Sequence, residues 1–321
     1  MQSSSHPSSQ LERLVECWPR RAGVRRDEFY EQDYGNTDDT RPDYPINIVP
    51  FEEHPNFQAA SPEQRASVLT GAWLAYNERV IEIEHLVTNP AIDLLLRGTL
   101  PGASNPVVRQ ALQQTLIDEQ FHLMMHEQAI RETRLKNPWT SELELPHSIV
   151  FRKLHVLRAE CPEQWQKDLL MLLWAIVSEM TINAYLNLLS RSDNIREVNR
   201  RLNWLHNRDE LAHNEIFVEI SKAVFRALNP HQRDFFLQML PRTVEAFTSH
   251  DFSSWEAVLR ATKLPGTATI IGDCKDKSGK LLSDVSYAYR LLEHLEIVGS
   301  TDVDQRVAAN SRQSSESQVL V

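Results

Sequence analysis

Two short segments of the sequence repeat one pattern of acidic residues and histidine. Residues 118–122 read DEQFH and residues 209–213 read DELAH, so both have the form DExxH. On an α-helix, residues i and i+3 share a face, and each segment can therefore present a carboxylate oxygen and an imidazole nitrogen to one metal ion. A dinuclear site in a four-helix bundle uses this pair twice. The predicted ligands from these segments are Glu119, His122, Glu210 and His213.

Such a site also needs one glutamate from each of two further helices, and two glutamates lie in apolar surroundings that suit this role. Glu84 falls on a helical stripe with Trp73 and Val80. Glu179 stands at the middle of the apolar residues 169–189. An unpaired carboxylate in an apolar interior must be protonated, paired or bound to a metal. We therefore predict that both glutamates complete the metal site.

The pattern ExxH is common by itself, and it occurs four times in this sequence. The occurrence at Glu144 contains Pro146, which disfavours a helix, and the one at Glu82 lies with His85 on a polar stripe. A single inward histidine or glutamate is most often a buried group with one hydrogen bond. Seven such residues on four helices differ from that case, because clustered carboxylates repel one another unless cations neutralise them. A metal site is thus favoured over a metal-free polar core.

His206 adds a further nitrogen donor to the fourth of these helices. The spacing HxxxExxH places His206, Glu210 and His213 within about 60° of one another around the helix axis. This is one histidine more than the usual carboxylate-rich dinuclear set, and it should alter the electronics and geometry at one ion. His126 lies one turn beyond His122 and should stay outside the ligand layer, where we expect it to pack against or support the ligands.

Each DExxH motif also carries an aspartate directly before its glutamate, Asp118 in one and Asp209 in the other. A carboxylate at this position can accept a hydrogen bond from the histidine of the opposite motif and so orient its ring. An aspartate one residue from a ligand can equally be a solvated helix residue. The sequence leaves both alternatives open.

The elements that must position these residues are predicted from capping and helix-breaking signals. Ser61, Pro62 and Glu63 place a cap residue, a first-turn proline and an acid in the order that starts a helix. Asn89-Pro90 should interrupt or end this helix. Further helices are predicted over residues 106–130, 162–189, 195–228, 231–249 and 283–297, with a loop over 264–280. We expect a disordered lead and irregular segment over 1–57, one domain over 58–299 and a disordered tail over 300–321.

Composition indicates an all-α fold, because 9 glycines against 41% hydrophobic residues suit long helices better than a sheet with many tight turns. The net charge of -10 argues against a nucleic-acid or anionic membrane surface. Three widely spaced cysteines predict neither a disulfide framework nor a thiolate zinc site, and no secretory signal pattern is evident, so we expect a cytoplasmic protein. Residues 169–189 are long enough to span a membrane, but Glu179 at their centre favours a buried core helix.

The ordered set Glu84, Glu119-xx-His122, Glu179 and His206-xxx-Glu210-xx-His213 resembles the p-aminobenzoate N-oxygenase family of ferritin-like diiron enzymes. The match lies in the order of the ligands, in the gaps between them and in the added histidine. The resemblance implies a ferritin-like helical bundle with peripheral helices, two iron ions in its core, dioxygen as oxidant and an external electron donor. It also implies oxidation of a primary amine to a hydroxylamine, nitroso or nitro product, commonly in natural-product biosynthesis.

The identity of the amine is left open by the sequence. An aryl amine, a free amino acid and an amino acid tethered to a carrier protein all fit the resemblance. Tyr76, Arg79 and Tyr185 are candidate pocket residues because they lie one to two turns from Glu84 or Glu179, although packing or a salt bridge explains them equally well. A reductase is the expected electron donor, and a homodimer is compatible with the sequence.

Other functions fit the same ligand set. A ferroxidase or oxygen carrier would use the metal site without an organic substrate, and a carbon hydroxylase or desaturase would use it on a different bond. A metal-free helical interaction protein is a third alternative. A mononuclear zinc hydrolase is disfavoured, because Glu210 is preceded by Asp209 and the HExxH spacing of such enzymes is absent.

Overall fold

The computed structural model describes residues 9–29, 40–278, 290–293 and 295 of the chain. Within these residues every regular element is helical and none is a strand, which confirms the all-α prediction. The α-helices are α1 (Ser9–Arg21), α2 (Pro55–Gln58), α3 (Pro62–Ile83), α4 (Asn89–Leu96), α5 (Pro106–Lys136), α6 (Ile149–Glu160), α7 (Gln164–Ser190), α8 (Glu197–Ala227), α9 (Pro230–Thr248), α10 (Ser253–Ala261) and α11 (Thr267–Ser278). Short 3-10 turns cover Gly23–Arg25, Asp27–Phe29, Ile46–Ile48 and Pro138–Glu142.

Local capping sets where α3 and α5 begin. The Ser61 side chain accepts a hydrogen bond from the backbone N–H of Gln64, and the Gln64 side chain accepts one from the backbone N–H of Ser61. Asn105 caps α5 by accepting from the backbone N–H of Val107 at 2.8 Å. Each cap is followed by a proline at the first helical position, where its missing N–H costs no bond. The starting points of both helices, and thus the faces that their acidic residues occupy, follow from the sequence.

A π-helical turn, Glu84–Thr88, joins α3 to α4. It interrupts the α-helix directly before Asn89-Pro90, as the sequence predicted, and Pro90 then occupies the first turn of α4. The wider turn begins at Glu84. Widened turns of this kind occur often at functional sites.

Four long helices, α3, α5, α7 and α8, form the bundle, in which α5 packs on α3 and α8, and α7 packs on α8. The apolar core falls into two clusters, and each of the four helix paths contributes to both. Along α5, for example, Leu112 belongs to one cluster and Phe121 to the other. Along α8, Ile216 belongs to the same cluster as Leu112, and Leu205 belongs to the same cluster as Phe121. The predicted ligands lie near the level where the two clusters meet.

The structure corrects the sequence prediction at the chain ends and between the long helices. Helix α1 forms inside the segment expected to be irregular, because Leu11 and Val15 are buried on one face of it. Helix α11 forms inside the predicted loop, where Ile270 and Ile271 pack into the core despite many neighbouring polar residues. Helices α6 and α10 were not predicted. The predicted lead before residue 9, most of the predicted helix 283–297 and the predicted tail 300–321 lie outside the described residues.

Helix α7 is long and apolar enough, by length and composition alone, to cross a membrane. In the folded chain, 72% of its most apolar stretch is buried inside the protein. Its neighbours are α8 and α9 together with the π turn at Glu84. The helix therefore has the packing of a core helix, as predicted from Glu179 at its middle.

Candidate metal centre

The bundle brings together the residues that the sequence predicted as metal ligands. Their relative exposures are all 5% or less. They come from the π turn after α3 and from α5, α7 and α8, so each of the four helix paths contributes. The buried set is Glu84, Glu119, His122, Glu179, His206, Glu210 and His213.

At one end of the cluster, two histidines face Glu84 and Glu210. His206 Nε2 lies 3.1 Å from Glu84 Oε1 and 3.3 Å from Glu210 Oε1. His122 Nδ1 lies 3.4 Å from the same Glu210 oxygen and 3.9 Å from Glu84 Oε1. One donor atom from each of these four residues lies within 4.8 Å of the others, a spacing that suits a single bound ion.

At the other end, His213 faces three glutamates. His213 Nδ1 lies 2.9 Å from Glu119 Oε1, 3.0 Å from Glu210 Oε1 and 3.8 Å from Glu179 Oε2. A second group of donor atoms within 4.8 Å is formed by Glu119, His122, Glu210 and His213. The two groups share His122 and Glu210. The arrangement therefore suits two ions side by side, with Glu84 and His206 at one end and Glu179 and His213 at the other.

The buried carboxylates perturb one another's protonation. Burial and the charges of Glu210 and Glu84 raise the pKa of Glu119 to about 7. Burial and Glu210 also raise the pKa of Glu179 well above its usual value. Burial alone would lower the pKa of His206, but contacts with Glu84 and Glu210 outweigh it and raise that pKa to about 10. Without metal, the cluster holds protons that bound cations would replace.

The pKa of Glu210 shifts in the opposite direction from the pKa values of Glu119 and Glu179. Burial alone would raise its pKa, but the charge of His213, the close contact with His206 and the hydrogen bond from His213 hold that pKa well below its usual value. The charge of Glu210, with contacts to Asp118 and Glu119, raises the pKa of His213 well above its usual value against the effect of burial. Glu210, which contacts both ends of the cluster, thus keeps its charge in the metal-free protein.

Buried atoms without a hydrogen-bond partner test whether metal ions fit the cluster. Within the described residues, the unsatisfied ligand atoms are Oε2 of Glu84, Glu179 and Glu210, both Oε atoms of Glu119, Nδ1 of His122 and Nε2 of His206. Glu119 Oε1 is near His213 Nδ1, but that nitrogen is aligned with Glu210 instead. Each unsatisfied buried group costs about 1–3 kcal/mol, so this many in one place require another partner. Mixed carboxylate and imidazole donors suit transition metals such as iron, and the cluster therefore fits two such ions.

The aspartates of the DExxH motifs contact the histidines of the opposite motifs. Asp209 Oδ2 lies 3.4 Å from His122 Nε2, and Asp118 Oδ2 lies 3.2 Å from His213 Nε2. Both aspartates have 0% exposure, which excludes the alternative of a solvated helix residue. An imidazole that donates from Nε2 to a carboxylate leaves the lone pair of Nδ1 free, and Nδ1 is the atom that faces the glutamates.

His206 is supported by a neutral side chain instead of a carboxylate. His126 Nε2 lies 2.9 Å from His206 Nδ1, and His126 Nδ1 lies 2.7 Å from Asn77 Oδ1. The Asn77 amide donates to the carbonyl of Trp73 at 2.6 Å, so its Oδ1 is the atom that accepts from His126. Burial and the adjacent histidines lower the pKa of His126 well below its usual value, which keeps the ring neutral. His126 lies behind a predicted ligand and outside both groups of donor atoms.

Several residues that touch this cluster could not be predicted from the spacing of residues in the sequence. Trp18 and Gly23 donate hydrogen bonds to the buried aspartates, and Arg21 lies between those aspartates. Thr88 donates to Glu179 Oε1 at 3.0 Å from the π turn. Asn77 stands behind His126. Each makes a contact with a residue far away along the chain, and such contacts leave no periodic pattern in the sequence.

A cavity of about 560 Å³ opens beside the cluster along α7 and α8. Two of its lining residues are tied to the backbone of predicted ligands: Asn183 donates to the carbonyl of Glu210 at 3.1 Å, and Asn214 to that of Glu179 at 3.3 Å. The other polar lining residues are Arg79, Thr181, Glu215, Thr248, Ser249, His250 and Arg290. This volume lies in the range that small-molecule sites usually have.

The three predicted pocket residues occupy different places. Arg79 lines the cavity, whereas the part of its lining that the structure describes includes neither Tyr76 nor Tyr185. The two tyrosine rings lie 5.5 Å apart, and their hydroxyl groups bond to Asn203 and Tyr44. Tyr76 also contacts the ring of His126 edge on. The tyrosines thus form a packed aromatic group beside the cluster.

A helical bundle with two buried ExxH pairs, two further glutamates and one added histidine has the architecture of a dinuclear oxygen-activating metalloprotein. A profile of the P-aminobenzoate N-oxygenase AurF family matches residues 5–296. The chain is 40% identical over 299 residues, 92% of its length and 89% of the relative's, to the 4-aminobenzoate N-oxygenase of Streptomyces thioluteus. The chain therefore belongs to the p-aminobenzoate N-oxygenase family, a family of ferritin-like diiron oxygenases, and the predicted family is confirmed.

Proposed function

We propose that this protein binds two iron ions and uses dioxygen to oxidise the amino group of an aromatic amine that carries a carboxylate. The observation that supports this most is the set of unsatisfied inward ligand atoms at the centre of the bundle. Family membership supports N-oxygenation, and the activity for which the Streptomyces thioluteus relative is named supports an aminobenzoate. The described residues offer no feature that favours a free or carrier-tethered amino acid.

Glu84 and His206 would hold one ion, and Glu179 and His213 the other. Glu210 would hold both ions, since its Oε1 atom contacts His206 at one end and His213 at the other. Glu119 and His122 would complete the set, since Glu119 contacts His213 and His122 contacts Glu84 and Glu210. The iron pair, when bound, supplies the redox capacity for reaction with dioxygen. The four carboxylates balance the charge of the ions, and the two apolar clusters keep water away from the reacting atoms.

Conversion of an amine to a hydroxylamine inserts one oxygen atom of dioxygen into an N–H bond and reduces the other oxygen atom to water. This balance consumes two electrons and two protons, which no group of the amine supplies. We therefore include an external electron donor in the proposal, such as a reductase.

The cavity beside α7 and α8 suits an aromatic acid. The guanidinium groups of Arg79 and Arg290 line it and can pair with a substrate carboxylate. Asn183 and Asn214 line the same cavity and are bonded to the backbone of Glu210 and Glu179. Binding of the acid group near the arginines would hold the substrate against α7 and α8, next to the backbone of two predicted ligands.

Product analysis tests this proposal. Iron-loaded, chemically reduced protein is mixed with oxygen and 4-aminobenzoate, and with aniline as the matched amine without a carboxylate. We expect hydroxylamine, nitroso or nitro products from 4-aminobenzoate. The KM for aniline should be about tenfold or more higher than the KM for 4-aminobenzoate, since one charge-assisted contact contributes roughly 1.5–3 kcal/mol. Ring-hydroxylated products alone would indicate a carbon hydroxylase, and iron oxidation without any product would indicate a ferroxidase. Either result contradicts the proposal.

A further inference from the structure

The segment before the bundle touches the metal cluster through its aspartates. Asp118 accepts from the indole N–H of Trp18 at 3.0 and 2.9 Å, one distance for each carboxylate oxygen. Asp209 accepts from the backbone N–H of Gly23 at 3.1 and 3.0 Å, again with both oxygens. One donor from the N-terminal segment therefore holds each aspartate, and each aspartate in turn contacts one histidine of the cluster.

Arg21 lies between the two aspartates. Its NH1 atom is 3.5 Å from Asp118 Oδ2 and 3.6 Å from Asp209 Oδ1. The Arg21 side chain is 15% exposed, and both aspartate side chains are 0% exposed. Its guanidinium nitrogens are buried and make no hydrogen bond within the described residues. The contribution of Arg21 is thus its charge, which balances two carboxylates that water cannot reach.

Gly23 shows how closely this segment approaches the cluster. A Cβ atom at Gly23 would lie 2.7 Å from Asp209 Oδ2 and 3.4 Å from the ring of Phe121. Real Cβ atoms do not come so close to a neighbour, so any larger residue must push Asp209 away from its present position. The glycine is needed here for close approach.

We propose that Trp18, Arg21 and Gly23 are positioning residues of the metal centre. They hold Asp118 and Asp209 in place, and the aspartates hold His213 and His122 with Nδ1 towards the metal ions. Helix α1 and the turn after it thus act as a clamp on both DExxH motifs at once. This inference rests on the proposed diiron site, because the histidines need a fixed orientation only if they bind metal.

The two arms of the clamp are the contact of Trp18 with Asp118 and the contact of Gly23 with Asp209, and they can be changed separately in the full-length chain. W18F removes the N–H that Asp118 accepts while keeping an aromatic ring, and G23A displaces Asp209. R21Q removes the charge shared by both arms, and R21K keeps it. R20Q is the matched control, since Arg20 is the neighbouring arginine and its side chain is exposed.

The measurement is anaerobic binding of Fe(II) to the metal-free protein against a competing chelator, with the thermal midpoint of the metal-free protein recorded beside it. Changes to the partners of metal-bound histidines lower metal affinity about 10- to 100-fold, and we expect this for R21Q. W18F and G23A should each weaken mainly one of two ⁵⁷Fe Mössbauer components, a different one in each variant. R21K should recover most of the affinity, and R20Q should bind like the unchanged protein. R21Q removes a buried counter-charge and should also lower the thermal midpoint of the metal-free protein, which R21K should restore.

Three results would overturn this role for α1. One is an Fe(II) affinity in R21Q that equals that of the unchanged protein, and another is the same loss of affinity in R21Q and in R20Q. The third is a loss in R21Q that R21K does not recover and that a fall in the metal-free midpoint accompanies, since this indicates a general folding defect. If the unchanged protein binds no pair of iron ions, the proposed function fails; if it binds two and R21Q binds them as tightly, only the clamp fails.

Discussion

The histidines of the cluster have two kinds of support. His122 and His213 each contact a fully buried aspartate, whereas His206 contacts the neutral ring of His126. A carboxylate acceptor makes an imidazole a stronger donor to metal than a neutral acceptor does. The two DExxH motifs therefore form a charged, cross-linked framework, and we expect the added histidine, His206, to be a weaker ligand than His122 and His213.

The partners of His122 and His213 are also held more firmly than the partner of His206. Asp118 and Asp209 each contact a histidine of the cluster and also accept a hydrogen bond from the N-terminal segment, so two separate contacts fix each aspartate. The support of His206 depends on one ordered chain of hydrogen bonds, from His206 to His126 to Asn77. One end of the iron pair should therefore be easier to perturb than the other.

Removing a ligand should reduce iron binding and activity more than changing a residue that supports a histidine. Glu179 lies in the apolar middle of α7, where no nearby carboxylate of that helix can replace it. We expect Glu179→Ala to reduce iron-dependent product formation to background, with iron content and product measured on the same preparation. The variant Glu215→Ala, which changes an acid of the neighbouring cavity, is the control and should keep its iron. Normal iron loading and activity in Glu179→Ala would remove Glu179 from the site.

The next largest effect distinguishes a ligand from its support. His122→Gln should lose or severely deplete one iron, because His122 Nδ1 contacts both Glu84 and Glu210. His126→Gln should retain two irons, because His126 contacts His206 and no glutamate of the cluster in the described structure. Metal analysis after gel filtration compares the two. Equal depletion in both variants would show that the inner face of α5 is assigned wrongly.

The affinity for metal should rise steeply with pH. In the metal-free protein the pKa of His206 is about 10 and that of His213 is well above its usual value, while both rings must be neutral to bind metal. Each displaced proton changes the apparent affinity about tenfold per pH unit, so two histidines give up to about a hundredfold. Anaerobic Fe(II) competition at two pH values one unit apart measures this. An affinity that is constant, or that falls as pH rises, would contradict the protonation described here.

The smallest expected effect compares the two kinds of support directly. Asp209→Asn removes a charged acceptor and should weaken Fe(II) binding about 10- to 100-fold. His126→Gln exchanges one neutral acceptor for another and should weaken it less than about tenfold. Competition titrations on the two variants under the same conditions provide the test. A larger loss in His126→Gln would reverse the ranking and show that His206 anchors the site.

Much of the cluster could be predicted from the sequence, because its residues recur at helical spacing. Glu119 with His122 and Glu210 with His213 are each local pairs, and their helices begin or end at recognisable caps and prolines. The apolar surroundings of Glu179 likewise required a buried partner for it. The positions of these side chains in one buried cluster follow from local patterns on four separate helices.

The rest of the cluster had no local signal. Trp18 lies 100 residues from Asp118, and Gly23 lies 186 residues from Asp209. The contacts are single hydrogen bonds whose partners are set by how α1 packs across α5 and α8. Asn77 lies on α3 like any buried polar residue, and only the three-dimensional packing shows that it faces His126. Tertiary contacts of this kind are fixed by packing and not by spacing.

Metal analysis of the purified protein tests the central claim most directly. Protein loaded anaerobically with ⁵⁷Fe(II), then passed through a desalting column, is analysed for iron, zinc and protein, and its Mössbauer spectrum is recorded. We predict close to two irons per chain and two iron environments, because Glu84 with His206 and Glu179 with His213 form different ends of the cluster. One zinc ion and no iron, or a protein that folds and retains no metal, would contradict it.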